Sequence, residues 1–344
     1  MKYKVVRTSP FQLEFDEGDF KKLDAQVVLQ PCDSEDDIIA AAQDADAVIA
    51  VLTRQKFSRR VLEKLTHCRM IVTPSIGYDG IDVAAATELG ICVVNVPDYG
   101  LEEVSDHAMA LLLSCARKIV ALDRAVKEGK WDTVMRPQIA KMWQGIPRLR
   151  GKTLGLVGFG GIARTMAPKA QSFGIRVIAY DPFVTAGVAE GLGVKLVDLD
   201  TLLRESDFVS VHAILNEDTR HMLGLKQFRQ MKKGAYLINA GRGAIVNEPE
   251  LCAALREGCI AGAGLDVTDP EPPAPDNPLL QMDNVIITAH SAGSSDEAFV
   301  VLRSRPTEEV LRVLRGEFPR GLVNVKVKET YARKWQLPQE GKAQ

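Results

Sequence analysis

The chain alternates short apolar runs with polar stretches that carry a helical repeat. In the first hundred residues Tyr3–Val6, Ala25–Leu29, Ala47–Val51, Met70–Thr73 and Ile91–Val94 are apolar runs of strand length. Between them Asp36–Gln43, Ser58–Leu65 and Asp82–Leu89 read as helices, the last opened by Asp82 and closed by Gly90. Alternation of this kind predicts a parallel sheet covered by helices. A longer helical pattern runs from about Glu102 to Gly129, with Ala108, Leu111, Leu112, Cys115 and Ile119 on one face. The stretch holding Trp131, Pro137, Trp143 and Pro147 has no clear period and reads as an extended arm, either a packed surface loop or a subunit contact. A second series follows, with strands at Thr153–Val157, Ile175–Tyr180, Phe208–Val211, Ala235–Asn239, Ala263–Asp266 and Val285–Thr288. Its helices are read at Gly161–Ser172, Leu199–Glu205, Lys226–Met231 and Glu248–Glu257. One more amphipathic helix, Asp296 to about Leu314, precedes a polar stretch from about Glu329 that reads as a mobile tail.

The second series opens with Leu154-Gly-Leu-Val-Gly-Phe-Gly-Gly-Ile-Ala163. It is a strand, a glycine turn and a helix, followed by a second strand that ends at Asp181, the order a dinucleotide site requires. Gly158 permits the tight turn. Gly160 has no Cβ, so the backbone can approach a pyrophosphate, and the helix that follows turns free N–H groups toward that anion. Asp181 suits ribose hydroxyls and repels a 2′-phosphate, which predicts NAD rather than NADP. Ala163 takes the third glycine position, where a small side chain suffices.

The length of 344 residues allows two domains, and 46% hydrophobic residues suffice for packed cores. A net charge of −2 gives no reason to expect nucleic acid or an anionic membrane as partner. No apolar run reaches membrane-spanning length, and the start of the chain leads straight into a strand, so no signal peptide is read. Six cysteines, none in a CxxC pair, fit a reducing cytoplasm and no structural zinc site. The five histidines form no HxH or HExxH, so no metal is assigned.

Three ionisable groups lie just beyond strand ends of the second series: Arg242, Glu271 and His290. Taken singly they read as a surface ion-pair residue, a loop acid among prolines and a core histidine. Taken together, downstream of a dinucleotide turn, they occur where ligands sit in open parallel sheets. Reducing a ketone needs a proton at the carbonyl oxygen, which an imidazole beside a carboxylate can hold at neutral pH. A guanidinium matches a carboxylate with two parallel bonds.

From about residue 45 to 325 the chain resembles the D-2-hydroxyacid dehydrogenase family, closest in flavour to its phosphoglycerate dehydrogenase-like and C-terminal-binding-protein-like branch. The stretches that carry the resemblance are Gly77-Tyr-Asp-Gly-Ile-Asp82, Glu103-Val-Ser-Asp-His-Ala108, the glycine turn, Asn239-Ala-Gly-Arg-Gly-Ala-Ile-Val-Asn247, Gly264-Leu-Asp-Val-Thr-Asp-Pro-Glu-Pro272 and His290-Ser-Ala-Gly293. The resemblance implies two Rossmann-like doubly wound parallel-sheet domains facing each other across a cleft. The smaller, flavodoxin-like domain is discontinuous, residues 1–100 with 294–330, and binds substrate. Residues 101–293 form the NAD-binding domain, and residues 331–344 are the tail.

It also implies roles. Arg242 binds the substrate carboxylate and polarises the 2-oxo group, His290 is the acid/base, and Glu271 orients the imidazole. Gly158, Gly160, Gly161, Ile162, Asp181, Ala213, Ala240, Gly241, Asp266, Ser291, Ala292 and Gly293 contact cofactor, with Asp266 accepting from the carboxamide. Ser75, Ile76 and Gly77 offer backbone N–H groups to the substrate carboxylate. His107 is read as a packing or capping group, and His221 is read outside the chemistry. A homodimer is the family habit. The chain departs from the family pattern at Ala289 and Ile214, where proline is usual, and at Gly161, where a larger residue is usual. An NAD-responsive scaffold for partner proteins is the alternative reading. Formate chemistry is disfavoured because such enzymes place Gln where Glu271 stands. Substrate choice is expected to lie near Ser75 and in the segment from Met135 to Trp143.

Overall fold

The computed structural model describes residues 2–10, 17–52, 55–131 and 137–336. The chain divides into two compact units, Met1–Tyr99 with Ser295–Gln344, and Gly100–Ser294.

The first unit begins β1 (Tyr3–Arg7), α1 (Glu17–Lys22), β2 (Ala25–Leu29), α2 (Glu35–Ala42), β3 (Ala47–Ile49), α3 (Arg59–Leu62), β4 (Met70–Val72), α4 (Val83–Glu88) and β5 (Cys92–Val94). Its five strands are all parallel in the order β2-β1-β3-β4-β5, the flavodoxin-like order. Strands β3, β4 and β5 are buried at every position, which is why they read as unbroken apolar runs. Asp82 caps α4 by accepting the Ala85 N–H at 2.9 Å, as its place before the helical repeat predicts.

The second unit holds α5 (Leu101–Arg117), α6 (Ile119–Lys127), α7 (Pro137–Trp143), β6 (Thr153–Val157), α8 (Gly161–Ser172), β7 (Arg176–Tyr180), α9 (Ala186–Glu190), β8 (Lys195–Leu196), α10 (Leu199–Glu205), β9 (Phe208–Val211), α11 (Leu225–Phe228), β10 (Tyr236–Asn239), α12 (Glu248–Arg256), β11 (Gly262–Leu265) and β12 (Val285–Ile287). The seven strands are parallel in the order β12-β11-β10-β9-β6-β7-β8. The chain winds outward from β6 in one direction and returns to its other side at β9. Ligands of such sheets bind at that reversal, outside the strands' carboxyl ends. Helices α13 (Asp296–Leu314) and α14 (Lys328–Trp335) belong to the first unit.

Four expectations are corrected. The long helix from Glu102 to Gly129 is two helices, because Lys118 is left-handed (φ 55°) between α5 and α6. The break turns Ile119 off the buried face, leaving it 52% exposed. The expected extended arm contains α7, with Trp131 and Trp143 exposed; Met135 lies outside the described residues. The second sheet has a seventh strand, β8, whose two residues pair with Ile178 and Ala179 and are too short to show a period. The polar tail does not begin at Glu329. Val327, Tyr331 and Trp335 recur every fourth residue and lay an apolar stripe on the first unit's core, with the Arg69 guanidinium 4.2 Å from the Trp335 ring centre. Residues 337–344 lie outside the described residues.

Candidate active site

Three strand ends meet at Gly158. Its φ is +88°, which a glycine adopts without strain. Its N–H donates to the Tyr180 carbonyl at 2.8 Å, and the His212 N–H donates to the Val157 carbonyl at 2.7 Å. The turn is thereby tied to β7 on one side and β9 on the other. Asp181 adds a second tie, accepting the Phe159 N–H at 2.8 Å on Oδ2 and the Phe183 N–H at 2.9 Å on Oδ1. Ala213 lies directly against Gly158, where a methyl on the glycine would fall 2.5 Å from the Ala213 nitrogen.

Gly160 opens α8 with no side-chain cap, and the first helical bond runs from the Arg164 N–H to the Gly160 carbonyl at 3.0 Å. The N–H groups of Gly160, Gly161 and Ile162 have no partner among the described residues. A methyl at Gly160 would meet nothing within 4 Å. Uncapped amides at a positive helix end, beside open space, fit a pyrophosphate. At Gly161 a methyl would sit 3.0 Å from Leu101 Cδ2 at the start of α5, close enough that the leucine tip would have to give.

Each of the three candidate catalytic side chains rides on a turn that one polar side chain ties down. Asn239, buried at the end of β10, accepts the Gly241 N–H at 3.1 Å and donates to the Arg242 carbonyl at 3.0 Å. Ala240 and Gly241 are held by the same turn. Glu248, at the start of α12, accepts the Asp269 N–H at 3.0 Å and the Asn277 side-chain amide at 2.6 Å, which fixes both ends of the loop that carries Glu271. Asp266, past the end of β11, accepts the Ser291 N–H at 3.0 Å and the Ala292 N–H at 2.9 Å, while its own carbonyl takes the His290 N–H at 2.8 Å. The Arg242 turn abuts the Glu271 loop at Gly243, where a side chain would overlap the Thr268 carbonyl.

These turns bring Glu271 and His290 into direct contact: His290 Nδ1 donates to Glu271 Oε1, both side chains being 36% exposed. His290 Nε2 has no partner among the described residues. The carboxylate thus fixes the ring and the tautomer and leaves the far nitrogen to exchange a proton. Gly293, expected beside the cofactor, lies 3.6 Å from where a methyl on Gly100 would be. Asp266, expected to meet the carboxamide, has a fully buried side chain whose oxygens serve the His290 turn.

Ser75, Ile76 and Gly77 form a loop of the first unit. Their carbonyls accept from the Val96 N–H (3.0 Å), Asn95 Nδ2 (2.7 Å) and Ser75 Oγ (2.7 Å) respectively. Their three N–H groups have no partner among the described residues. The loop thus presents three open donors beside engaged carbonyls, an arrangement that suits an anion.

Sequence reasoning missed Asn95, Asn239 and Glu248. The available signal was a polar residue closing an apolar strand or opening a helix beside a glycine-rich turn. Neither His221 nor His212 joins the Glu271–His290 pair: His221 Nε2 lies 3.5 Å from Asp269, and His212 Nε2 pairs with Ser210 Oγ at 2.8 Å. A cavity of about 600 Å³ opens at the amino-terminal ends of β10–β12, lined among others by Cys115, Lys118, Arg124, Met142 and Tyr236, and contains none of these groups. Among the described residues no cluster of His, Cys, Asp or Glu is arranged to hold a metal, and no helix is long and apolar enough to cross a membrane.

The family model for the NAD binding domain of D-isomer specific 2-hydroxyacid dehydrogenase matches residues 109–292. The chain belongs to that family. This dehydrogenase is 41% identical over 290 residues to a glyoxylate reductase of Korarchaeum cryptofilum, covering 84% of the chain and 86% of that protein. It is 40% identical over 292 residues to a D-3-phosphoglycerate dehydrogenase of Archaeoglobus fulgidus, covering 85% of the chain but only 54% of that longer protein. Its fold matches the crystal structure of a glyoxylate reductase from Paecilomyes thermophila with a TM-score of 0.82 at 26% identity, covering 93% of the chain and 98% of that structure. The dehydrogenase is therefore an NAD-dependent oxidoreductase of 2-hydroxy acids, and the uncapped α8 amides are suited to that cofactor.

Proposed function

We propose that this dehydrogenase interconverts a small 2-oxo acid and its D-2-hydroxy acid, with His290 as the acid/base. The observation that carries the reading is the Glu271–His290 hydrogen bond with Nε2 left open. When bound, NADH supplies the hydride that reduces the 2-carbon. His290 Nε2 delivers the proton to the carbonyl oxygen and takes it back in oxidation. Glu271, which accepts from Nδ1, keeps the imidazole oriented and its Nε2 turned to the substrate. Arg242 holds the substrate carboxylate and polarises the 2-oxo group. The open N–H groups of Ser75, Ile76 and Gly77 give that carboxylate further donors. Asp181 favours NADH over NADPH, since a 2′-phosphate would meet its charge.

Glyoxylate is the first substrate to test, given the similarity to proteins of that name. Apolar side chains exposed at Ile119, Val120, Val126, Trp131 and Trp143 support a homodimer joined through the second unit. The cysteines, all unpaired, suit the cytoplasm. An intact Arg242, Glu271 and His290 favours retained chemistry over a scaffold role.

The test is Arg242→Ala, followed by NADH absorbance with glyoxylate, hydroxypyruvate and pyruvate. Losing a charge-assisted pair of about 1.5–3 kcal/mol lowers kcat/KM by roughly 10- to 150-fold. NADH affinity should stay within about threefold. Unchanged turnover removes Arg242, and with it this substrate geometry, from the reaction.

A further inference from the structure

A second histidine lies behind the His290 turn. His107, on α5, places Nε2 2.9 Å from Thr288 Oγ1 and 3.4 Å from Asp266 Oδ1. Thr288 Oγ1 is itself 2.5 Å from Asp266 Oδ1. A hydroxyl has one hydrogen, and an ionised carboxylate can only accept, so Thr288 donates to Asp266. Its oxygen is then the acceptor, and His107 Nε2–H the donor. The line of donors runs from His107 to Thr288 to Asp266.

Asp266 needs those donors, because its side chain is fully buried. It also has a geometric task. Oδ1 holds the Ser291 N–H and Oδ2 the Ala292 N–H, so rotation of the carboxylate would release both. Those residues directly follow His290, whose φ of +50° is left-handed and disfavoured for any residue with a side chain. Such a turn persists only where its surroundings over-determine it. Thr288, with His107 behind it, supplies that constraint at Oδ1, the oxygen that also holds the Ser291 N–H.

We propose that His107 is a positioning residue: acting through Thr288, it fixes the Asp266 carboxylate and so the backbone turn that presents His290. The role rests on the assignment of His290 as the acid/base, but its mechanical part does not. A group that serves only packing would be replaceable by any side chain of its size. A donor in a relay is replaceable only by another donor, and Gln, whose side-chain amide reaches as far as Nε2, is the conservative variant.

The experiment compares the parent with His107→Phe, His107→Gln, Thr288→Val and the double variant His107→Phe/Thr288→Val. Two quantities are read: glyoxylate reduction, and amide hydrogen exchange at Ser291 and Ala292 in the full chain with and without NADH. His107→Phe and Thr288→Val should each lower kcat about tenfold with KM for glyoxylate within about twofold, and each should speed exchange at both amides about tenfold. His107→Gln should stay within about threefold of the parent in both readouts. The double variant should be no worse than the poorer single one, since both break one relay. Unchanged exchange in His107→Phe, or losses that multiply in the double variant, would overturn the proposal. If the parent reduces no 2-oxo acid, the proposed reaction fails by itself, and the exchange rates still decide the role of His107.

Discussion

Gly158 and Gly160 are two residues apart in one turn, yet alanine should harm them in different ways. At Gly158 a methyl would fall 2.5 Å from the Ala213 nitrogen, 2.7 Å from its Cα and 2.8 Å from the His212 carbonyl carbon. Those are backbone atoms of a strand end, tied by the His212 N–H to Val157 at 2.7 Å, so they cannot turn aside as a side chain would. The backbone at φ +88° adds a left-handed cost of about 1–2 kcal/mol. Overpacking adds about 1–3 kcal/mol, for a sum of about 2–5 kcal/mol. Gly100–Ser294 is a unit of about 195 residues, for which each kcal/mol moves the midpoint by about 2–4 °C. Gly158→Ala should therefore melt about 4–20 °C below the parent without cofactor. At Gly160 the methyl meets open space and φ is −78°, so Gly160→Ala should melt within about 2 °C of the parent. The same methyl occupies the approach to the α8 amides, and NADH should bind at least about tenfold more weakly. Thermal melts and NADH fluorescence titrations check both. Equal melting of parent and Gly158→Ala would refute the packing argument, and unweakened NADH binding by Gly160→Ala would refute the assignment of this turn to the pyrophosphate.

Two further predictions follow from the same end of the sheet. Burial lowers the His212 pKa from 6.5 to about 4, and its Nδ1 has no partner among the described residues. The unfolded chain binds the extra proton first as pH falls, so stability drops between about pH 6.5 and 4; from pH 7.5 to 5 the loss is about 2 kcal/mol. Urea midpoints at those two pH values should show His212→Gln less acid-sensitive by about that amount, and equal sensitivity would remove His212 as the source. Asp181→Asn keeps an acceptor for one of the two N–H groups it holds but loses the negative charge. Its ratio of kcat/KM for NADPH over NADH should rise at least about tenfold, and a ratio that does not move would show that Asp181 does not set the preference.

What could be read from the chain was whatever burial writes into it. Strands β4, β5 and β9 are buried at every position and stand out as apolar runs, and helix α8 carries its period from end to end. Where burial touches one or two positions there is no period to find. Helix α1 buries only Phe20, and β8 is a two-residue edge. Lys118 is harder still, because its left-handed backbone breaks a helix whose side-chain pattern continues across it. A period in side chains says nothing about one dihedral.

The site shows the same division at the scale of single residues. Arg242, Glu271 and His290 were legible as candidates because, taken together, they lie just beyond strand ends downstream of a dinucleotide turn, and the structure brings two of them, Glu271 and His290, into contact. Their anchors were not, because Asn239, Glu248 and Asp266 act on backbone atoms, and a hydrogen bond to an N–H leaves no mark on the residue that supplies it. Asp266 was singled out through the family resemblance, as an acceptor for the carboxamide; its buried carboxylate also holds two amides of the next turn. The consequence is a general one for parallel sheets. Strand ends deliver side chains to one edge but leave their loops free, and a reaction that needs three groups in register needs each loop pinned. Here every pin is a side chain at or just beyond the end of a strand or at the start of a helix, the positions where the sheet itself is most rigid. It follows that loosening a pin should reduce turnover while leaving the fold standing, whereas loosening the Gly158 turn should cost both.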